Sequence, residues 1–281
     1  MSVEHPITWL YVPGDRPERF EKAATSGADV VIVDLEDAVR DERKDAAREA
    51  VAAAAPMLAE APAAFHVRVN ALGSPRSDDD LRALAQLPGL AGVRLPKVEG
   101  AADVDRVAGL LGDADVPLFA LVESARGLRR LDEIAAHPRI HGIALGEQDL
   151  LTETRISARA AIDQIRVTTV LTALAHGLPA PPMSVYPRLD DEDGLVRSCH
   201  EGAALGMRGR TALHPRQLAP IRAAFTPTEE EVAWASRVDA AWSAPEAAGR
   251  GAIALDGGEF VDAPVAERAR RILADARAAR P

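Results

Sequence analysis

Between residues 8 and 213, short segments rich in branched apolar residues alternate with stretches of helical spacing, and this alternation limits the possible folds more than any other feature. The strand candidates are 8–12, 30–33, 65–69, 92–96, 118–122, 142–145, 183–185 and 211–213, the last two being the weakest. Helical patterns occupy about 16–26, 43–55, 78–86, 101–112, 128–136, 158–176, 191–205 and 215–224. A helix between successive strands demands crossover connections, so the strands pair in parallel with the helices outside. Eight such units predict an α/β fold of the (β/α)8 TIM-barrel type, with an open doubly wound sheet as competitor.

Residues 1–226 hold all eight units and are expected to form the barrel; residues 227–281 read differently. A helix is predicted from Thr228 to about Ser243, then a flexible stretch, Gly249-Arg250-Gly251, and a hairpin over 252–261 centred on Asp256-Gly257-Gly258. A last amphipathic helix covers 264–279. This helix-hairpin-helix extension is too small to fold alone and must pack on the barrel or on a neighbouring subunit.

Lys and Arg number 33 against 43 Asp and Glu, a formal charge of −10, which disfavours nucleic acid and anionic membranes as partners. No apolar run reaches the length of a membrane span, and the opening residues lack the basic and apolar blocks of a signal peptide. The lone Cys199 forms neither an internal disulfide nor a cysteine zinc cluster, so a cytoplasmic protein is expected.

Charged residues gather at the ends of the strand candidates. Val33 leads into Asp34, Glu36 and Asp37; Arg68 lies between Val67 and Val69; Leu95-Pro96 leads to Lys97; Val122 precedes Glu123; Leu145 precedes Glu147 and Asp149. In a parallel barrel these ends share one rim, where substrate sites form. Each carboxylate could simply cap the following helix. Together, Glu123 and Asp149 could hold a hard cation such as Mg2+, which takes a few carboxylate oxygens and leaves room for water and substrate. Arg68 has two readings: an ion pair with Glu36 or Asp37, or a planar fork for a substrate carboxylate.

The ordered set Leu10-Tyr11-Val12-Pro13-Gly14-Asp15-Arg16-Pro17, Asp34-Leu35-Glu36-Asp37-Ala38, Val67-Arg68-Val69-Asn70, Leu95-Pro96-Lys97-Val98-Glu99, Val122-Glu123-Ser124-Ala125-Arg126-Gly127, Gly146-Glu147-Gln148-Asp149-Leu150, Leu213-His214-Pro215 and Phe260-Val261-Asp262-Ala263-Pro264 resembles the citrate lyase beta-subunit and malyl-CoA lyase family. The resemblance covers nearly the whole chain. It implies a Mg2+-dependent (or Mn2+-dependent) TIM barrel, usually a homotrimer, that cleaves or forms a carbon–carbon bond between an acyl-CoA and a 2-oxo acid. Glu123 and Asp149 fall on the family's metal ligands and Arg68 on its oxo-acid anchor. Asp262 falls on an acid/base aspartate carried by the C-terminal segment, often into a neighbouring subunit. Read from the residues alone, Asp262 could equally be the N-cap of the last helix.

The expected reaction is cleavage of a 3-hydroxyacyl-CoA such as malyl-CoA or citryl-CoA, with an acyl-carrier thioester as the other substrate form. Arg68, Asp262, Glu36 and Asp37 are the catalytic candidates; Arg68, Glu123, Arg16 and Lys97 are the substrate-binding ones, with Arg19 and Lys22 beside Arg16 for CoA phosphates. Two other readings stay open: an aldolase acting on free 2-oxo acids, and a non-catalytic oxo-acid-binding subunit. The sequence departs from the family pattern at Leu151-Thr152-Glu153-Thr154, at Pro181-Pro182-Met183 and at Arg210, which bears on the choice of substrate.

Overall fold

A computed structural model describes residues 6–244, 251–255 and 257–278. The opening residues 1–5, Gly249 and Arg250 of the expected flexible stretch, Asp256 of the expected turn and residue 279 of the last helix lie outside the described residues. The chain divides into two compact units, Met1–Ala224 and Phe225–Pro281.

The first unit is built on seven strands: β1 (Thr8–Pro13), β2 (Val30–Asp34), β3 (Ala64–Arg68), β4 (Gly92–Leu95), β5 (Leu118–Val122), β6 (Ile140–Leu145) and β7 (Arg210–Ala212). All pair in parallel, in the spatial order β6-β5-β4-β3-β2-β1-β7. The result is a curled half-barrel sheet. Helices α1 (Phe20–Ala24), α2 (Lys44–Ala59), α3 (Pro75–Leu84), α4 (Ala101–Leu111), α5 (Ala125–Arg129), α6 (Leu131–Ala135), α7 (Glu147–Thr154), α8 (Arg159–Ala175), α9 (Glu192–Ala204) and α10 (Leu218–Phe225) follow the strands.

The weakest strand candidate, 183–185, does not extend a ladder. Met183 makes one isolated parallel bridge to Arg210, and no ladder joins β6 to β7 among the described residues. Pro181, Pro182 and Pro187 surround the segment. Proline has no N–H to donate, so a continuous ladder is denied there. For this unit the sequence predicts eight strands; among the described residues it has seven and a bridge.

Strands buried on both faces need apolar residues throughout, and β2 is buried along its whole length. One set of alternate side chains packs under the helices; α2, for example, buries Ala47, Val51, Ala55 and Leu58, one stripe at helical spacing. The other set points inside the curl, where Trp9, Val30 and Ile32 form a cluster with Tyr11 and Ala64. Further along the same inner face the side chains become charged, and that change places the site.

In the second unit, Thr228 caps α11 (Glu229–Ser243) with a reciprocal capping box to Glu231. Strands β8 (Ala252–Ala254) and β9 (Phe260–Asp262) pair antiparallel, with Gly257 and Gly258 at positive φ between them. Helix α12 (Ala263–Ala278) follows. Ala235, Val238, Val261 and Ala269 form its core.

Candidate active site

The C-terminal ends of the strands line a cavity of about 370 Å3 whose wall includes Tyr11, Asp34, Asp37, Arg68, Glu123 and Asp149. Arg68 is the best-held of these. Strand register sets Asp34 of β2 directly beside Arg68 of β3. Both oxygens of Asp34 accept from the guanidinium, Nε to Oδ1 and Nη2 to Oδ2, each at 2.7 Å. The same carboxylate accepts backbone N–H groups from Glu36 and Ala38, so it cannot swing away.

The free edge of the fork, Nη1, lies 3.0 Å from Oε2 of Glu36 and 3.4 Å from Oδ2 of Asp37. The ring of Tyr11 lies under the guanidinium, 4.9 Å from Cζ to centroid. Burial acts to lower the pKa of Arg68, but Tyr11, Asp34 and Glu36 together reverse this and raise it, so the cation is secure. The ion-pair reading of Arg68 is thus realised, through Asp34 first.

Glu36 is buried, and its Oε1 accepts from Nζ of Lys97 at 3.0 Å. Burial raises the pKa of Glu36 against the opposing pull of Arg68 and Lys97. Lys97 has φ +54, a left-handed backbone uncommon for a residue with a side chain. Behind the loop, Lys44 Nζ donates to the carbonyls of Leu35 and Glu36 and to Asn70, and buried Asp80 holds Asn70. This scaffold fixes where Glu36 stands.

Glu123 follows β5 and is 4% exposed. Burial, the nearby charge of Glu36 and a hydrogen bond shared with Asp149 push its pKa up to about 8, with Arg68 pulling the other way. Among the described residues its Oε2 has no hydrogen-bond partner. Asp149 sits in the first turn of α7, where the helix dipole favours an anion. Gly146 makes the approach possible, since a Cβ there would come within 2.4 Å of Glu123 Cγ.

Two adjoining carboxyl groups, one with an orphaned buried oxygen, fit a divalent cation. Among the described residues no three His, Cys, Asp or Glu side chains form a metal-holding group. Mg2+ does not require three, because it is commonly bound by one or two carboxylates with substrate and water completing the shell.

Arg16 lies elsewhere. It lines a separate cavity of about 390 Å3 together with Arg19, Arg40 and Arg43, the last ion-paired with Asp15 at 3.0 Å. Glu147, at the rim in sequence, is engaged in a two-point ion pair with Arg166 at 2.7 Å and 2.7 Å. Asp262 belongs to the second unit and accepts from the N–H of Val265 at 3.1 Å, the helix-capping contact. Asp34 is the residue that sequence reasoning left out of the site; its position across from Arg68 in the β2–β3 pairing was the available signal.

The sequence matches the HpcH/HpaI aldolase/citrate lyase family over residues 8–215. The chain belongs to that family. It is 36% identical over 280 residues to a (3S)-malyl-CoA thioesterase of Cereibacter sphaeroides, covering 98% of this chain and 96% of the relative. It is 40% identical over 273 residues to a citrate lyase subunit beta-like protein of Mycobacterium tuberculosis, covering 94% and 93%. The crystal structure of CitE from Mycobacterium tuberculosis in complex with magnesium, acetoacetate and coenzyme A superposes with a TM-score of 0.81 at 36% identity, covering 98% of this chain and all of that one. The members of this family seen here are thus tied to CoA esters, oxo acids and Mg2+.

Proposed function

We propose that this chain is a Mg2+-dependent carbon–carbon lyase that cleaves, or forms, a 3-hydroxyacyl-CoA thioester, yielding an acyl-CoA and a 2-oxo acid. The observation that carries the reading is the pairing of Glu123 with Asp149 in the same cavity as the clamped guanidinium of Arg68. Glu123 and Asp149 would hold the ion, which when bound polarises the oxygens of the oxo acid and lowers the pKa of the substrate hydroxyl.

Arg68 faces the substrate carboxylate, with Asp34 fixing its rotamer and Glu36 and Asp37 competing for its free edge. Displacement of Asp37, the more exposed of the two, exposes that edge to substrate. Lys97 keeps Glu36 in place. The four arginines around the second cavity carry an excess of positive charge suited to CoA phosphates. Asp262, on the C-terminal extension, is proposed as the base that takes the hydroxyl proton; residues 227–281 act as a lid, in a homotrimer where a neighbouring subunit delivers it. The segment at Met183 is proposed as the eighth stave of a TIM barrel, since Met183, Ser184 and Val185 line the same cavity as the strands.

The thioesterase relative favours a second reading, hydrolysis of the same thioester. One assay separates them. With Mg2+ and (3S)-malyl-CoA, the lyase releases acetyl-CoA and glyoxylate, whereas the hydrolase releases malate and a free CoA thiol. Citramalyl-CoA and citryl-CoA extend the panel. Acyl-CoA release that disappears in Glu123→Ala and Asp262→Ala supports the lyase; free thiol without acyl-CoA supports the hydrolase; turnover of none of these thioesters overturns both.

A further inference from the structure

At the other end of the curl lies a third cavity of about 250 Å3, lined largely by apolar groups that include Trp9, Phe119, Ile143 and Ala64. Small residues, among them Ala64, Ala91, Gly142 and Ala180, line it. A Cβ at Gly92 would come within 3 Å of both Phe119 and His66, whose rings stack at 4.7 Å over it. Arg94, the inward residue of β4, borders this cavity and the upper one alike.

Arg94 is 3% exposed. Among the described residues its guanidinium has no hydrogen bond or ion pair, and its Nε is fully buried without a partner. Its neighbours are π faces, with Cζ 5.2 Å from the centroid of Phe119 and 5.9 Å from that of Trp9. His66, buried beside it, has an unpartnered Nδ1. Aromatic faces attract a cation but supply no acceptor for its five N–H donors. A buried guanidinium without a carboxylate is a costly arrangement that an anion relieves.

We propose that this lower cavity is a second ligand site for a small organic monocarboxylate, whose hydrocarbon body fills the apolar space and whose carboxylate pairs with Arg94. Without Mg2+ the upper cavity disfavours such a molecule, because Asp34, Asp37, Glu123 and Asp149 crowd it with acidic groups and Asp34 already holds Arg68. An inorganic anion would leave the apolar walls unfilled. The site is independent of Mg2+ and of the lyase reading.

The test is titration calorimetry of the full chain with benzoate and 4-methylpentanoate, with benzamide as neutral control and chloride as inorganic control. Both carboxylates are expected to bind without Mg2+, at least tenfold more tightly than benzamide, and to remain bound when Mg2+ and oxaloacetate are added. Arg94→Met removes the guanidinium that has no hydrogen bond or ion pair among the described residues, Arg208 being the other arginine of the lining, and Ala64→Ile fills the cavity from β3; each should weaken carboxylate binding at least tenfold. Should Arg94→Met not fold, Ala64→Ile decides. No carboxylate binding, equal affinity for benzamide, binding of chloride alone, displacement by oxaloacetate, or undiminished binding in Ala64→Ile overturns the proposal.

Discussion

The affinity of the Glu123–Asp149 pair for Mg2+ should depend steeply on pH, because the ion and a proton compete for the same carboxyl. Burial, Glu36 and Asp149 push the Glu123 pKa up to about 8. The ion binds the carboxylate form, whose fraction falls as pH drops below that value. A single site of this pKa gives an apparent affinity that rises about ninefold from pH 6 to 7, about fivefold from 7 to 8, and about twofold from 8 to 9. The sign also fixes the stability of the metal-free protein. A carboxyl with a raised folded pKa holds its proton longer in the folded state, so stability is lost as pH climbs from the ordinary carboxyl range through about 8. Added Mg2+ should therefore raise the melting temperature most at alkaline pH. Calorimetric titration of metal-free protein at constant ionic strength, from pH 6 to 9, measures the slope; Glu123→Gln should lose both affinity and pH dependence. An apparent Kd constant within threefold between pH 6 and 8 would refute the reasoning.

Gly146→Ala should disturb the same pair sterically, because the new Cβ would overlap the Glu123 side chain; at least a tenfold loss of Mg2+ affinity by titration is expected, with the helical circular dichroism signal retained. Asp80 is fully buried and accepts from Arg48 and from the amide and side chain of Asn70, so Asp80→Ala should cost about 3 to 5 kcal/mol in urea unfolding. Arg68→Lys keeps the charge but breaks the two-point contact with Asp34; turnover should fall at least a hundredfold while Mg2+ affinity stays within threefold. Replacing Arg16 and Arg19 together by Ala should raise the KM for a CoA thioester at least tenfold and leave oxo-acid binding unchanged, as read by steady-state kinetics and calorimetry.

The alternation of short strands and helices made the parallel sheet legible, because period and spacing are local properties of the chain. The gathering of Arg68, Asp37, Glu123 and Asp149 in one cavity was also legible, since parallel strands bring their ends to one edge. What remained hidden depends on partners distant in sequence. Asp34 reads as one acid among three after β2 until strand register sets it against Arg68. Arg40 and Arg43 lie apart from Arg16 and Arg19 in the sequence, and only the fold brings the four to one cavity. The stretch holding α7 was read only as a strand-end acid cluster, because its few apolar residues give too little periodicity to mark an eight-residue helix. The segment at Met183 makes a bridge rather than a ladder for a reason visible in sequence, the neighbouring prolines, whose missing donors oppose strand pairing.

That proline-bounded segment leaves the wall with a lengthwise seam. On the β7 side the segment is fastened by backbone hydrogen bonds from Arg208 to Pro181, from Met183 to Gly209 and from Thr211 to Met183, whereas among the described residues no ladder ties it to β6. Along that line the wall therefore lacks a ladder, and Ser184 and Val185, which border the acid-lined cavity there, are positions where its lining can change without breaking one.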